Sequence, residues 1–177
     1  MKLPADVLLL GGAPGVGKSS AAKLLSRHCP KGVLIEVDLV RLMVISVDWG
    51  RQSEHRQMLR IAAEMTRGFL SAGFGPVIVV DTFSGTKMDF FRKELARSCK
   101  GKRVDQVCLV AEPAVLRKRI EKRPKGGFKK TAVSLKINSD FLGGLAGRLR
   151  ILDTTDMSPS MVADAIKDMH ILPCSFA

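Results

Sequence analysis

The apolar run Val7-Leu8-Leu9-Leu10 leads almost directly into Gly12-Ala13-Pro14-Gly15-Val16-Gly17-Lys18-Ser19, and this junction restricts the fold more than any other stretch of the chain. Glycines at 12, 15 and 17 let successive backbone N–H groups turn inward on a phosphate, where side chains would block the approach. Lys18 to His28, with apolar Ala21, Ala22, Leu24 and Leu25, reads as a helix whose positive dipole end faces the same phosphates. The cradle from Gly12 to Ser20 therefore reads as a binding site for ATP. In it Lys18 reaches the β and γ oxygens and Ser19 offers its hydroxyl to Mg²⁺.

Four more apolar or β-branched runs follow: Val33 to Val37, Val77 to Val80, Val104 to Val110 and Leu149 to Leu152. Between and after them, helical spacing predicts helices over Gln57 to Leu70, Met88 to Cys99, Pro113 to Arg123 and Pro159 to Met169. The last is preceded by Ser158 as an N-cap, and Met161, Val162, Ala165, Ile166 and Met169 form one apolar stripe read as core. Strands that are apolar throughout and alternate with helices imply an α/β fold with a parallel sheet covered on both faces. In such a sheet ligands bind beyond the carboxyl ends of the strands.

The residues at those ends carry the candidate chemistry. Asp38 follows the second run and Arg41 comes one turn later. One reading makes Asp38 the acceptor of a hydroxyl proton and Arg41 a fork for phosphate oxygens. The other makes Asp38 a helix cap and Arg41 the partner of a surface carboxylate. Asp81 ends the third run, in the position of a carboxylate that holds Mg²⁺, and Thr82 stands where hydrolytic motors often carry a glutamate. Ser84, Gly85 and Thr86 read as a strand-to-helix turn with Thr86 as N-cap. Arg119 and Arg123 share one helix face ahead of Pro124-Lys125-Gly126-Gly127, which suggests a lid over approximately 117–130 whose arginines close on a triphosphate. Asp153 reads as a turn residue. His55, between Arg51 and Arg56, reads as a surface residue, with contact to an acceptor as the alternative.

Bulk properties narrow the class. With 177 residues the chain is expected to form a single domain, 1–177. No apolar run is long enough to span a bilayer and no secretion signal is legible, so the expected location is the cytoplasm. Cys29, Cys99, Cys108 and Cys174 have no metal-site spacing and suggest neither zinc nor a disulfide framework. Of the 29 Lys+Arg and 17 Asp+Glu, residues 84–150 hold 18 and 6, so the whole net charge of +12 sits there. That half suits polyanionic ligands and leaves nucleic acid possible as a partner. The absence of Tyr argues against a platform that stacks several bases.

Together, Gly12 to Ser19, Asp38-x-x-Arg41, Val80-Asp81, Arg119-x-x-x-Arg123-Pro124 and Leu152-Asp153-Thr154 resemble the small P-loop kinases. The grouping includes polynucleotide 5′-hydroxyl kinases, chloramphenicol phosphotransferase, zeta toxins and gluconate kinase. The resemblance implies a three-layer fold with a five-stranded parallel sheet in the order 2-3-1-4-5, helices on both faces and a short lid. It also implies ATP and Mg²⁺ as cofactors, with Lys18 and Ser19 binding them, Asp38 as base, and Arg119 and Arg123 on the phosphates. Arg41 matches the arginine of the polynucleotide kinase pattern. Two departures matter. No second carboxylate stands two residues after Asp38, and Asp81 is followed by Thr82-Phe83-Ser84, which disfavours shikimate-type and monophosphate acceptors. The expected activity is ATP-dependent transfer to a hydroxyl of a small molecule or a nucleic-acid 5′-end. The alternative is a nucleotide-dependent switch that binds RNA or a partner without phosphotransfer.

Overall fold

A computed structural model describes residues 5–46, 48–124, 127–144 and 150–169. Five strands, β1 (Val7–Gly12), β2 (Val33–Glu36), β3 (Val77–Val80), β4 (Val104–Val110) and β5 (Arg150–Asp153), form one all-parallel sheet in the order β2-β3-β1-β4-β5. Helices α1 (Lys18–Arg27), α2 (Val37–Leu42), α3 (Gln52–Ser71), α4 (Lys87–Ser98), α5 (Pro113–Glu121), α6 (Thr131–Gly144) and α7 (Pro159–Asp168) connect and follow them. The expected fold class and strand order are both present.

Alternation along β1 divides the core. Leu8 and Leu10 face α1, α5 and α7 through Ala21, Leu25, Leu116, Ile120, Val162 and Ile166. Val7 and Leu9 face the opposite layer, where α2, α3 and α4 contribute Val40, Leu59, Ala62, Phe91 and Leu95. All four β1 side chains are buried, each contributing about 1.5–3 kcal/mol over exposure. That is why a central parallel strand reads as an unbroken apolar run.

Three expectations need correction. α6 is a helix that the spacing did not reveal, whereas α2 begins where both readings of Asp38 and Arg41 required one; α6 buries Ser134, Asn138 and Phe141, a helical period carried mostly by polar residues. The methionine stripe of α7 is only partly core, because Met161 is exposed while Val162, Ala163 and Ile166 are buried. Cys29 is disulfide-bonded, whereas Cys99 and Cys108 are buried free thiols. The Ser158 cap is as expected, its hydroxyl accepting from the Met161 N–H at 3.2 Å. Leu149, Lys125, Gly126 and Cys174, named above for the last strand, the lid and the cysteine pattern, lie outside the described residues.

Candidate active site

The loop between β1 and α1 is built from glycines for three different reasons. Gly12 has φ +132°, and a Cβ there would lie 2.3 Å from the Leu109 carbonyl oxygen. Gly15 has φ +98°, with Leu116 and Ile120 side-chain carbons 2.9 Å from where a Cβ would stand. Gly17 has open space around it and is required by its φ of +101° alone. Ala13 and Val16 are buried, Pro14 and Ser19 half-buried, and Ser20 exposed. Lys18 Nζ donates to the carbonyls of Gly12 at 2.7 Å and Ala13 at 2.9 Å, so the lysine closes the loop on itself. Burial pulls its pKa down to about 8, against the opposing charges of Asp81 and Asp38; Arg123 adds to the lowering.

Asp38 sits in the first turn of α2 with its residue exposed to the cleft. It does not cap that helix, since Glu36 holds the N-cap position. The surrounding protein still limits its solvation, and this desolvation, reinforced by Asp81, raises its pKa above the ordinary carboxylate value; Lys18, His55 and Arg41 oppose the shift. Asp38, Asp81 and Lys18 thus share one electrostatic neighbourhood at the carboxyl ends of β1, β2 and β3.

Asp81 is buried and multiply held. Its Oδ2 accepts the Phe83 N–H at 3.0 Å, and His55 Nε2 lies 3.2 Å from each carboxylate oxygen. Phe83 reaches this geometry with a positive φ of 51° while its ring is fully buried against Phe91. Burial alone would raise the Asp81 pKa, but the hydrogen bond and charge of His55, the Phe83 N–H and the charge of Lys87 outweigh it, so the group is held below the usual value and ionised. Lys87 Nζ stands 3.3 Å from His55 Nδ1. The His55 ring thus bridges the Asp81 carboxylate and the Lys87 ammonium. His55 is therefore not a surface residue as expected: it is 6% exposed.

Arg41 is buried on the inner face of α2. Its Nη2 donates to the Asp48 carbonyl at 2.5 Å, its guanidinium lies 4.7 Å from the Trp49 ring centroid, and its Nε has no hydrogen-bond partner among the described residues. The two arginines of the expected lid part company. Arg119 donates to the Thr154 hydroxyl at 3.0 Å and to the carbonyls of Thr154, Thr155 and Met157 at 2.6, 3.1 and 3.3 Å. It braces the loop after β5, where Thr154 Oγ1 also lies within hydrogen-bonding distance of the Val16 and Val110 carbonyls. Arg123 donates to the Phe128 carbonyl at 3.3 Å, and its charge is felt at Lys18. Asp153 makes a turn, its Oδ1 accepting from the Thr155 N–H and hydroxyl at 2.9 and 2.6 Å. Thr86 occupies the N-cap of α4 without a side-chain cap bond.

For a hard divalent cation the donors must be oxygens. An ionised Asp81 and the Ser19 hydroxyl in the first turn of α1 meet that requirement. Among the described residues no group of three or more His, Cys, Asp or Glu could hold a metal. Cys108 lies beneath the glycine loop, and burial pushes its thiol pKa to about 12, which leaves it inert. Among the described residues no helix is long and apolar enough to cross a membrane.

Comparison with known proteins agrees with this architecture. The structure is similar to a sugar kinase from Janibacter sp. HTCC2649, with a TM-score of 0.68 and 21% identity over 96% of this chain and 97% of that one. It is similar to a gluconokinase from Sinorhizobium meliloti 1021, with a TM-score of 0.63 and 20% identity over 93% and 90%. A tunicamycin resistance protein from Deinococcus radiodurans gives a TM-score of 0.69 and 19% identity over 99% and 100%. Among curated proteins none matches the chain in sequence. The family model AAA_18, described as an AAA domain, matches residues 8–138, spanning the glycine loop, Asp38, Asp81, Arg119 and Arg123. The chain belongs to this AAA_18 family and has the fold of the small P-loop kinases.

Proposed function

We propose that this protein is a kinase that transfers the γ-phosphate of ATP to an alcohol hydroxyl. The observation that carries the reading is the convergence of Lys18, Asp38 and Asp81 in one neighbourhood beside the glycine loop, with the two carboxylates pushed in opposite directions. Asp81 is tied and ionised. Asp38 is open to the cleft and has a raised proton affinity, as a group that must take up a proton requires. The acceptor oxygen bonds to the γ-phosphorus, its proton passes to the Asp38 carboxylate, and the bond to the bridging oxygen breaks to release ADP. Lys18 and Arg123 stabilise the spread of charge on the transferring group. Ser19 and Asp81 would hold Mg²⁺, which neutralises phosphate charge when bound. Arg119 acts on the nucleotide indirectly, by fixing the loop after β5.

The fold of the similar kinases supports this reading, as does the exposed Asp38, whose proton affinity responds to Lys18 of the glycine loop. The test is transfer of label from [γ-³²P]ATP to a panel of alcohols by the unaltered chain and by Asp38→Asn. Labelling of an acceptor, lost in the variant while ATP still binds, is the expected result. ATP binding with no labelled alcohol, or full transfer by Asp38→Asn, would refute the assignment.

A further inference from the structure

Thirteen large apolar side chains are exposed along the described chain, and six of them fall in eleven consecutive residues: Leu39, Leu42, Met43, Val44, Ile45 and Trp49. The other seven are scattered from Ile61 to Met161. Isolated exposed apolar residues need no explanation, but a contiguous patch marks something that covers it.

The patch is fastened to the reaction centre. It begins one residue after Asp38 and runs from the outer side of α2 into the connection to α3, which carries His55. Arg41 clamps it from beneath, bonding the Asp48 carbonyl and lying under the Trp49 ring. The same guanidinium is felt by Asp38. The apolar surface therefore borders the cleft into which the Asp38 carboxylate opens.

Its polar inventory is equally informative. From 38 to 50 the charged residues are Asp38, Arg41 and Asp48. Arg41 is buried, and Asp48 is spent on its own turn, accepting the Gly50 N–H at 2.9 Å and facing Arg51 at 3.6 Å. No exposed cation stands between 38 and 50, although the chain as a whole carries +12; the nearest, Arg51, pairs with Asp48 and Glu54 at 3.6 and 3.0 Å, and Lys87, which feels the charge of Asp38, stands 3.3 Å from His55 Nδ1. A nucleic-acid end or a sugar acid needs such cations, and a polyol needs a fringe of hydrogen-bonding side chains.

We propose that the hydroxyl phosphorylated beside Asp38 belongs to a lipophilic alcohol, an aryl or alkyl body that lies against the Leu42–Ile45 turn and the Trp49 ring. The inference rests on the kinase reading above and names its acceptor class. The product is the corresponding phosphate monoester, with ADP released.

Trp49 is the single tryptophan of the chain and so reports on the segment directly. Titration with hexan-1-ol or 2-phenylethanol is expected to shift its emission to the blue saturably, whereas glycerol and gluconate leave it unchanged. In the labelling assay kcat/KM is expected to rise about two- to fourfold per added methylene from butan-1-ol to heptan-1-ol, in line with about 0.8 kcal/mol per buried CH₂. Ile45→Ser removes a fully exposed side chain, so the fold tolerates it. It should flatten that series and raise KM for hexan-1-ol about tenfold with KM for ATP unchanged.

Labelling of glycerol, gluconate or a 5′-hydroxyl oligonucleotide in preference to the alkanols would overturn this inference and leave the kinase reading intact. ATP binding with no alcohol labelled would end both. A blue shift on phosphatidylcholine vesicles with no response to the alcohols would make the patch a membrane surface and overturn the inference. So would a concentration-dependent dimer abolished by Ile45→Ser, again without an alcohol response.

Discussion

His55 Nε2 lies 3.2 Å from both carboxylate oxygens of Asp81, a contact that crosses from α3 to the end of β3. It holds a buried carboxylate in one orientation, and its loss leaves that carboxylate underpaired. Removing one partner of a buried hydrogen bond to a charged group costs about 1.5–3 kcal/mol. His55→Ala is therefore expected to lower stability by that amount in urea unfolding. A cycle with Asp81→Asn should return a coupling of similar size, whereas two independent sites would add.

The upward shift at Asp38 sets the sign of two effects. Transfer needs the carboxylate ionised, so kcat/KM should fall with decreasing pH along a limb centred above the ordinary carboxylate value. Asp38→Asn should remove the limb and lower kcat by about 10²–10⁴. A raised folded pKa also means that ionisation in the fold costs stability at neutral pH. The same variant should therefore have a higher Tm than the unaltered chain at pH 7, measured by thermal unfolding.

Lys18 has a pKa of about 8 in the folded chain against an unfolded value of 10.5. Below 8 it is charged in both states and the folded chain carries the full desolvation penalty. Between 8 and 10.5 the unfolded chain binds the extra proton, so stability without nucleotide should rise with pH over that window. Phosphate binding favours the charged form, so ATP affinity should weaken over the same range. Isothermal titration at pH 7 and 9.5, repeated with Lys18→Met, would show this opposition and its loss.

The glycine loop predicts a graded series. Gly12→Ala forces a methyl to within 2.3 Å of the Leu109 carbonyl oxygen, while Gly17→Ala meets no atom within 4 Å. Both carry backbone strain of roughly 1–2 kcal/mol from their positive φ. Only Gly12→Ala adds a clash in the sheet, so its Tm should fall further than that of Gly17→Ala.

Arg119→Lys keeps the charge but not the planar fork that spans three carbonyls and the Thr154 hydroxyl. KM for ATP is expected to rise about tenfold, with a smaller change in kcat. An unchanged KM would show that the loop after β5 holds its shape without this brace.

Much of the site was legible because its signals are local. The Gly12 to Ser19 spacing needs no knowledge of the rest of the chain, and Asp38 and Asp81 mark themselves by ending apolar runs. His55 was hidden by a boundary. The apolar spacing starts at Met58, but α3 begins at Gln52, and one more turn places His55 in line with Met58, Leu59, Ala62, Ala63 and Thr66. Extending that stripe backward was the signal available. In α6 the buried face consists of Ser134, Asn138 and Phe141, and no hydrophobic period reveals a helix whose Asn138 amide is buried because it bonds both backbone groups of Ala111.

The sequence by itself determined the parallel α/β architecture and the position of the glycine loop, because both follow from short-range patterns of apolar, glycine and hydroxyl residues. Only the tertiary structure decided what each polar side chain does. Arg119 and Arg123 look equivalent along the helix, yet one is consumed by carbonyls 35 to 38 residues away while the charge of the other is felt at Lys18. Proton affinities and partners depend on which groups the fold packs together in a poorly solvated cleft, and that proximity is set by chain crossovers that no local spacing records.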